Sequence, residues 1–493
     1  MGRSISVDRA GNLFVCGHFV ESASFATGSI RGTAQQQSGF LAKLDSGGRV
    51  LWTQVIGGHT DDECRGVAAD PEGNCVVTGN FRSTVTLGPG ASQSSLTSAG
   101  GTDIFLAKFS PAGVLLWAKQ AGGSGDDFGH AVACDSSGNI FVTGSYELTG
   151  TFDGITLPGQ DATQLFVAKY TPAGRLVWIK DIGGGESATG LGIAVDSQGG
   201  PCVTGRFNSG KTTFPAIAQA VTPVLKSDFF VSKYDANGKN LWYQIAGGSG
   251  NDQGFCVATD SIGNIFAAGS FENSMRFPTL TLTNSAGLGI FLARYDRTGK
   301  FLWAATSGGP HGGEAHGVQV DVAGDVYLSG YFYGTVTFGR STLQSSGNPE
   351  LFLAKFDTEG RAIWAVQAGG SAIKVPLGFA LDDEGHAFLT GYFRSDATLG
   401  GSLLRNAGGR DAFVARIDGL FPTPRLNIAR EAGQVVLRWP AWAKEFQLES
   451  TSEYSPTANW TAGANDIATL TTDGFSATNK PLLEAEFFRL RKR

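Results

Sequence analysis

Three short segments gather carboxylates in this sequence: Asp61-Asp62-Glu63, Asp126-Asp127 and Asn251-Asp252, with Glu186 and Glu314 at comparable places further along. Oxygen donors brought together by a fold would suit Ca²⁺, which takes about six to eight such ligands. The matching positions elsewhere are Ser187-Ala188, Gly312-Gly313 and Ile373-Lys374, so any acidic ring is broken, and no D-x-D-x-D-G loop is present. Turn formation is the plainer use of these acids. A second set lies five residues before a recurring Asp: Arg3, Arg65, His130, Leu191, Phe255, His316 and Leu377. Two arginines and two histidines at one opening would grip an anionic or sugar-like ligand, while the apolar members suit packing. A histidine base needs an orienting carboxylate, for which Asp127 beside His130 and Glu314 beside His316 are the candidates. The ligand-binding candidates are therefore Arg65, His130, His316, Asp61, Asp62, Asp126, Asp127 and Asp252. No residue is assigned to catalysis or to a metal, because G-x-S-x-G, H-E-x-x-H and G-x-x-x-x-G-K-[ST] are all missing. The Gly-Gly-Ser-Gly runs at 122–125 and 247–250 lie between strands, without the helix N-terminus that a phosphate loop uses.

Elements that position such residues must be strands. Glycine makes up 71 of 493 residues, about double ordinary usage. Apolar residues at 41% exclude a disordered chain, and charged residues at 17% argue against coiled coils. A net charge of -6 gives no footprint for nucleic acid. No apolar run approaches the roughly 20 residues of a membrane span. Six scattered cysteines (Cys16, Cys64, Cys75, Cys134, Cys202, Cys256) form no C-x-x-C pair and read as small buried hydrophobes. The first residues carry no basic and apolar leader.

The pattern repeats. A strand ending in Asp, a Gly-containing turn and a strand ending Gly-x-aromatic recur with closing glycines Gly17, Gly79, Gly144, Gly205, Gly269, Gly330 and Gly391, at intervals of 61 to 65 residues. An aromatic-apolar-small-basic phrase follows each, from Phe40–Lys43 to Phe413–Arg416. An apolar-Trp phrase leading to Gly-Gly occurs six times, at Trp52, Trp117, Trp178, Trp242, Trp303 and Trp364. Period-2 alternation assigns four strands, a to d, to each unit: in the third, His130–Cys134, Asn139–Ser145, Gln164–Tyr170 and Leu176–Ile182. Seven such units predict an all-β, seven-bladed β-propeller over 1–419. The tryptophans are expected to wedge between sheets, and the basic residue closing strand c to lie in solvent or at a blade edge. The seventh unit has no apolar-Trp-Gly-Gly strand, so it either lacks an outer strand or borrows one.

These repeats resemble the bacterial SBBP β-propeller repeat family and, more distantly, NHL propellers. The resemblance rests on Gly192-Ile193-Ala194-Val195-Asp196, Asn139-Ile140-Phe141-Val142-Thr143-Gly144, Phe166-Val167-Ala168-Lys169-Tyr170 and the loop from Gly122 to Asp127, and covers residues 3–418. It implies a fold and an extracytoplasmic bacterial setting, extracellular or at the cell surface, and no single reaction.

After Gly419 the repeats stop. Two prolines in 420–424 mark a linker, and new alternating runs fill 425–493. Val435–Trp439 with Phe446–Glu449 resembles the core strands of a small fibronectin type III-like β-sandwich, closed by Phe487–Leu490, though the length is short for seven strands. The basic tail Arg489, Arg491, Lys492, Arg493 is read as solvated.

The b–c segments look long and divergent, as in 82–102 against 208–226, which places recognition on the b–c/d–a face. The expected function is a non-catalytic binding scaffold, acting as a monomer, whose partner is a protein or a polysaccharide and not nucleic acid. No cofactor beyond that Ca²⁺ option is expected. The contrasting expectation is a polysaccharide hydrolase or lyase with a His/carboxylate site at the channel mouth.

Overall fold

The computed structural model describes residues 1–25, 28–32, 36–159, 162–182, 187–208, 226–309, 311–321, 323–368, 372–382, 385–399, 401–417, 427–431, 434–439, 446–451, 461–462, 469–471, 474–479 and 487–492. Two compact units are present, Met1–Arg416 and Ile417–Arg493. The expected linker 420–424, Gly419 and Glu186 lie outside the described residues.

The first unit is all-β and propeller-like. Five of its sheets hold four or more strands: four contain four strands each, and one contains ten. Within the third repeat the sheet order is Phe128–Cys134, Ile140–Tyr146, Gln164–Tyr170, Leu176–Ile182, within two residues of the alternation-based bounds. The ten-stranded sheet arises because neighbouring repeats are stitched together. Gly57 and Gly58, at the end of one d strand, pair with Thr86 and Val85 of the next repeat; Ala121 and Gly122 pair with Phe152 and Thr151. The last repeat is a three-stranded sheet, Ile373–Leu381, Ala387–Arg394 and Asp411–Ile417.

The a strands stand side by side around a central opening, and the first, Gly2–Val7, neighbours both Glu63–Ala69 and Ile373–Leu381. Glycine makes this approach possible. A methyl group on Gly378 would meet the Ile5 backbone nitrogen at 2.9 Å, and one on Gly66 would meet the Ala131 Cα at 3.0 Å.

Two sequence expectations change here. The basic residue closing strand c is buried, not solvated: Lys43, Lys108, Lys233 and Lys355 are each 5% exposed or less. Each reaches the Asp that ends strand a or lies just after it. Lys108 Nζ is 2.7 Å from Asp70, Lys233 2.7 Å from Asp196, Lys43 3.3 Å from Asp8 and Lys355 3.1 Å from Asp321. Lys43, Lys169 and Lys355 also sit 4.7–5.0 Å over the rings of Phe14, Phe141 and Tyr327. The same aspartates accept turn amides, Asp70 from Glu72 and Asn74 at 2.9 Å. A buried carboxylate is affordable only when paired and hydrogen-bonded, which explains one Asp and one cation per repeat.

The described b–c segments, second, are repeated hairpins more than divergent loops; 209–225, the segment contrasted with 82–102, lies outside the described residues. Four residues after the strand-b glycine the backbone turns left-handed at Glu21, Ser83, Leu148, Asn273, Gly334 and Ser395. Hairpins such as Thr149–Phe152 with Ile155–Pro158 and Thr335–Phe338 with Ser341–Gln344 follow. Their inner strands bridge the preceding repeat's d strand, as at Gly308 with Thr337 and Gly247 with Arg276. Side-chain sequence varies there while the backbone task is constant.

The tryptophans behave as expected of wedges. The indole nitrogens of Trp52, Trp117, Trp178, Trp242 and Trp303 donate to Pro111, Pro172, Ala236, Arg297 and Thr358 carbonyls in the next repeat's c–d turn, at 3.0–3.2 Å. All six cysteines are unpaired and buried or half-buried; burial pushes the Cys202 thiol up to about 12.

The second unit has two sheets, one ordered Asn427–Glu431, Gln434–Trp439, Gly474–Asn479, Thr469–Thr471, the other Thr461–Ala462, Phe446–Thr451, Phe487–Lys492. Strands of two to six residues let seven fit where the length had suggested fewer.

A candidate recognition site at the channel mouth

The seven residues at fixed distance before the strand-a Asp all line one cavity of about 500 Å³: Arg3, Arg65, His130, Leu191, Phe255, His316 and Leu377. Each is the first residue of its a strand to line that cavity, so the mouth lies on the d–a side. The ring is chemically lopsided.

On one side Glu63, 6% exposed, is the hub. Its carboxylate is 2.6 Å from Arg3 Nε, 2.8 Å from an Arg65 terminal nitrogen and 3.0 Å from His18 Nδ1. Burial alone would raise the Glu63 pKa, but the His18 hydrogen bond and the two guanidinium charges bring it down to about 2. Arg65 Nε donates to Asn80 Oδ1 at 2.6 Å, and its guanidinium lies 5.2 Å over Phe128. His130 Nδ1 is 3.3 Å from Arg65 and its ring stacks on Phe128 at 6.0 Å. Burial, reinforced by the Arg65 charge, lowers its pKa to about 3 and keeps it neutral.

Further round the ring the surface is aromatic. His316 stacks on Phe255 at 4.7 Å and on Tyr331 at 5.8 Å, Tyr331 meets Tyr333 edge-on at 5.5 Å, and Arg410 covers Tyr392 at 4.8 Å. His316 Nε2 is 2.9 Å from Glu314 Oε2. That orienting pair was expected; the corresponding pair of His130 with Asp127 is not formed.

Asp62, Asp127 and Asp252 are instead fully buried staples. Asp127 accepts from the Gly123 amide at 2.7 Å and the Glu147 amide at 3.0 Å, joining a d strand to the next repeat's b strand. Asp62 does the same with Gly58 and Arg82, and Asp252 with Gly248 and Glu272. Burial raises all three carboxyls to about 7. Asp61 and Asp126 each accept a c-strand amide, from Gln37 and Thr102. Among the described residues no group of three or more His, Cys, Asp or Glu is arranged to hold a metal.

The sequence reading missed Glu63 as hub, together with His18, Asn80 and Tyr331. A signal was available: His18, Asn80 and Tyr331 each directly follow a strand-b glycine, and in the register Glu63 faces Asn80 and Glu314 faces Tyr331.

Residues 116–145 match the SBBP beta-propeller repeat. That segment runs from a d strand through the Asp127 staple to the next strand-b glycine. Over 430 residues the chain is 26% identical to a WD repeat-containing protein, L264, of Acanthamoeba polyphaga mimivirus, covering 72% of this chain and 31% of that protein. It is 27% identical over 348 residues to the regulatory protein FlaEY of Caulobacter vibrioides, covering 65% and 35%. The chain thus spans about a third of the length of these curated relatives. A gluconolactonase of Xanthomonas campestris aligns at 11% identity and a TM-score of 0.30, covering 66% of this chain and 82% of that one. Among the described residues no helix is long and apolar enough to cross a membrane.

Proposed function

We propose that this protein is a non-catalytic binding scaffold acting outside the cytoplasm, a monomer built from a seven-bladed propeller and a small fibronectin type III-like sandwich. Counting the four-stranded repeats inside the ten-stranded sheet separately, and the three-stranded sheet as one blade, supports seven. The ligand we favour is a polysaccharide, engaged at the channel mouth with the neighbouring hairpin tips; a protein partner is the other option. One observation carries this reading: Phe255 and His316, stacked on each other and backed by Tyr331, line the same opening as Arg3 and Arg65, which Glu63 joins. Flat apolar faces beside fixed donors and acceptors are what specific binding of a hydroxylated ligand needs.

The His316–Glu314 pair favours a second reading, a polysaccharide hydrolase or lyase. Glycoside hydrolysis wants a carboxylic acid with a raised pKa. Burial raises Glu314, but the His316 hydrogen bond outweighs it and the pKa ends below the usual value. The strongly raised acids Asp62, Asp127 and Asp252 spend both oxygens on amides away from the mouth. The same occupation weighs against Ca²⁺, and a calorimetric titration is expected to be flat.

Glycan-array and pull-down binding with the full chain tests the proposal. Retention of a glycan, reduced by Tyr331→Ala and by Arg65→Ala, is the expected result. Release of reducing or unsaturated ends that His316→Ala abolishes would replace binding with catalysis.

A further inference from the structure

The seam between the last and first repeats contains a copy, unfilled among the described residues, of a seat that five other junctions use. Each seat has a floor, a wall and an edge. The floor is the c–d turn glycine of the following repeat: a methyl group on Gly113, Gly174, Gly238, Gly299 or Gly360 would meet the ring of Trp52, Trp117, Trp178, Trp242 or Trp303 at 2.6–2.9 Å. The acceptor is the turn carbonyl two residues before that glycine. The wall is the strand-b aromatic, such as Phe14 at 6.1 Å from Trp52 or Phe266 at 6.2 Å from Trp303. The edge is strand c, whose basic residue always faces the tryptophan, as Lys43 faces Trp52 and Lys355 faces Trp364.

At the seam all three parts are built. Gly48 holds the same left-handed turn, at φ 85°, as Gly113 at 82° and Gly174 at 80°. Arg416 donates to the Ser46 carbonyl at 3.0 Å, as Lys108 does to Pro172 and Lys169 to Ala236. Phe388 lies 5.9 Å beneath Arg416. Yet among the described residues no atom lies within 4 Å of a methyl placed on Gly48. Among the described residues, strand Asp411–Ile417 pairs on one side only. Val414 is 38% exposed, while its counterparts Leu41, Leu106, Val167, Val231, Leu292 and Leu353 are all between 0% and 4%.

We propose that this edge docks an extended strand of a partner polypeptide bearing the motif apolar–Trp–x₄–Gly–Gly, added antiparallel to Asp411–Ile417 with its Trp opposite Arg416. The occupant is specified by repetition: the six d strands that cover the other edges, from Leu51-Trp52 to Ile363-Trp364, all carry that motif at that spacing. Main-chain pairing supplies affinity and the indole seat supplies selectivity, as in other strand additions. An unpaired edge with an exposed apolar residue is otherwise a liability. The proposal is independent of what the channel mouth binds.

A fluorescein-labelled peptide with the sequence of residues 360–371 provides the probe, titrated against the full chain by anisotropy. Saturable one-to-one binding is expected. Trp364→Ala in the peptide should weaken it at least about thirtyfold, the loss of a central buried aromatic. In the protein, Val414→Lys should weaken it about tenfold by charging the edge, a change of about 1.4 kcal/mol. Gly48→Asn, which tolerates a left-handed backbone, should do so by obstructing the seat. Absence of binding, or binding indifferent to both the peptide Trp and Gly48, overturns the proposal. So does a stable dimer that Val414→Lys dissociates, since a second copy would then be the occupant.

Discussion

The two ends of the central channel use the same chemistry, a buried carboxylate against a cation, for opposite purposes. At the strand-a termini the pair recurs around the ring, with Asp8, Asp70, Asp196 and Asp321 each holding a lysine. At the mouth Glu63 alone is a hub, gathering Arg3, Arg65 and His18 from three strands, while Glu314 at the same position of another repeat holds His316. A feature imposed on every repeat answers to the fold. One confined to a single sector has no packing reason to be there, and symmetry breaking is the better guide to recognition than charge density.

The largest effect expected from breaking this contrast is at the repeated end. Asp70→Ala strands a 3% exposed Lys108 and frees two turn amides, and should cost about 3–5 kcal/mol in urea denaturation. Glu63→Gln should cost less, about 1–2 kcal/mol, because Arg3 and Arg65 keep 33% and 26% of their side chains in contact with water. Its binding defect should exceed that of Asp70→Ala measured on folded protein; equal defects would erase the distinction between the ends.

Acidity separates the regions further. Asp62, Asp127 and Asp252 have folded pKa values near 7 against an ordinary 3.8. Their contribution is complete below about pH 4 and lost as pH rises through 7. Glu63 has the opposite sign: its contribution is present above its ordinary 4.5 and lost as pH falls through about 2. The triple variant Asp62→Asn, Asp127→Asn, Asp252→Asn should therefore lose the wild-type drop in urea midpoint between pH 5 and pH 8. Smallest of all, Arg361→Ala removes an i,i+4 pair with Asp357 on a side chain 76% exposed, and the same titration should detect no change.

Much of this was legible in the sequence, and the rest failed for identifiable reasons. Strand positions followed from alternation, and the tryptophan wedges from their spacing. The mouth residues Arg65, His130 and His316 followed from counting back from a recurring Asp. The lysines were misjudged because their partners lie about 35 residues away on another strand, as Lys108 does from Asp70, and no local pattern reveals that pairing. The acidic loops attracted a ligand reading because a staple to backbone amides leaves no side-chain signature. The b–c hairpins hid for the same reason: one left-handed residue and a bridge to the preceding repeat are set by backbone geometry, while Glu21, Ser83, Leu148 and Asn273 share no chemistry.

The tryptophan-to-turn contact has an evolutionary corollary. At five successive junctions a repeat lends a carbonyl and a bare glycine to its predecessor, so a duplicated or transposed copy meets a compatible neighbour wherever it lands among them. Genes built this way can lengthen, shuffle or exchange sectors by recombination while each new junction arrives already matched.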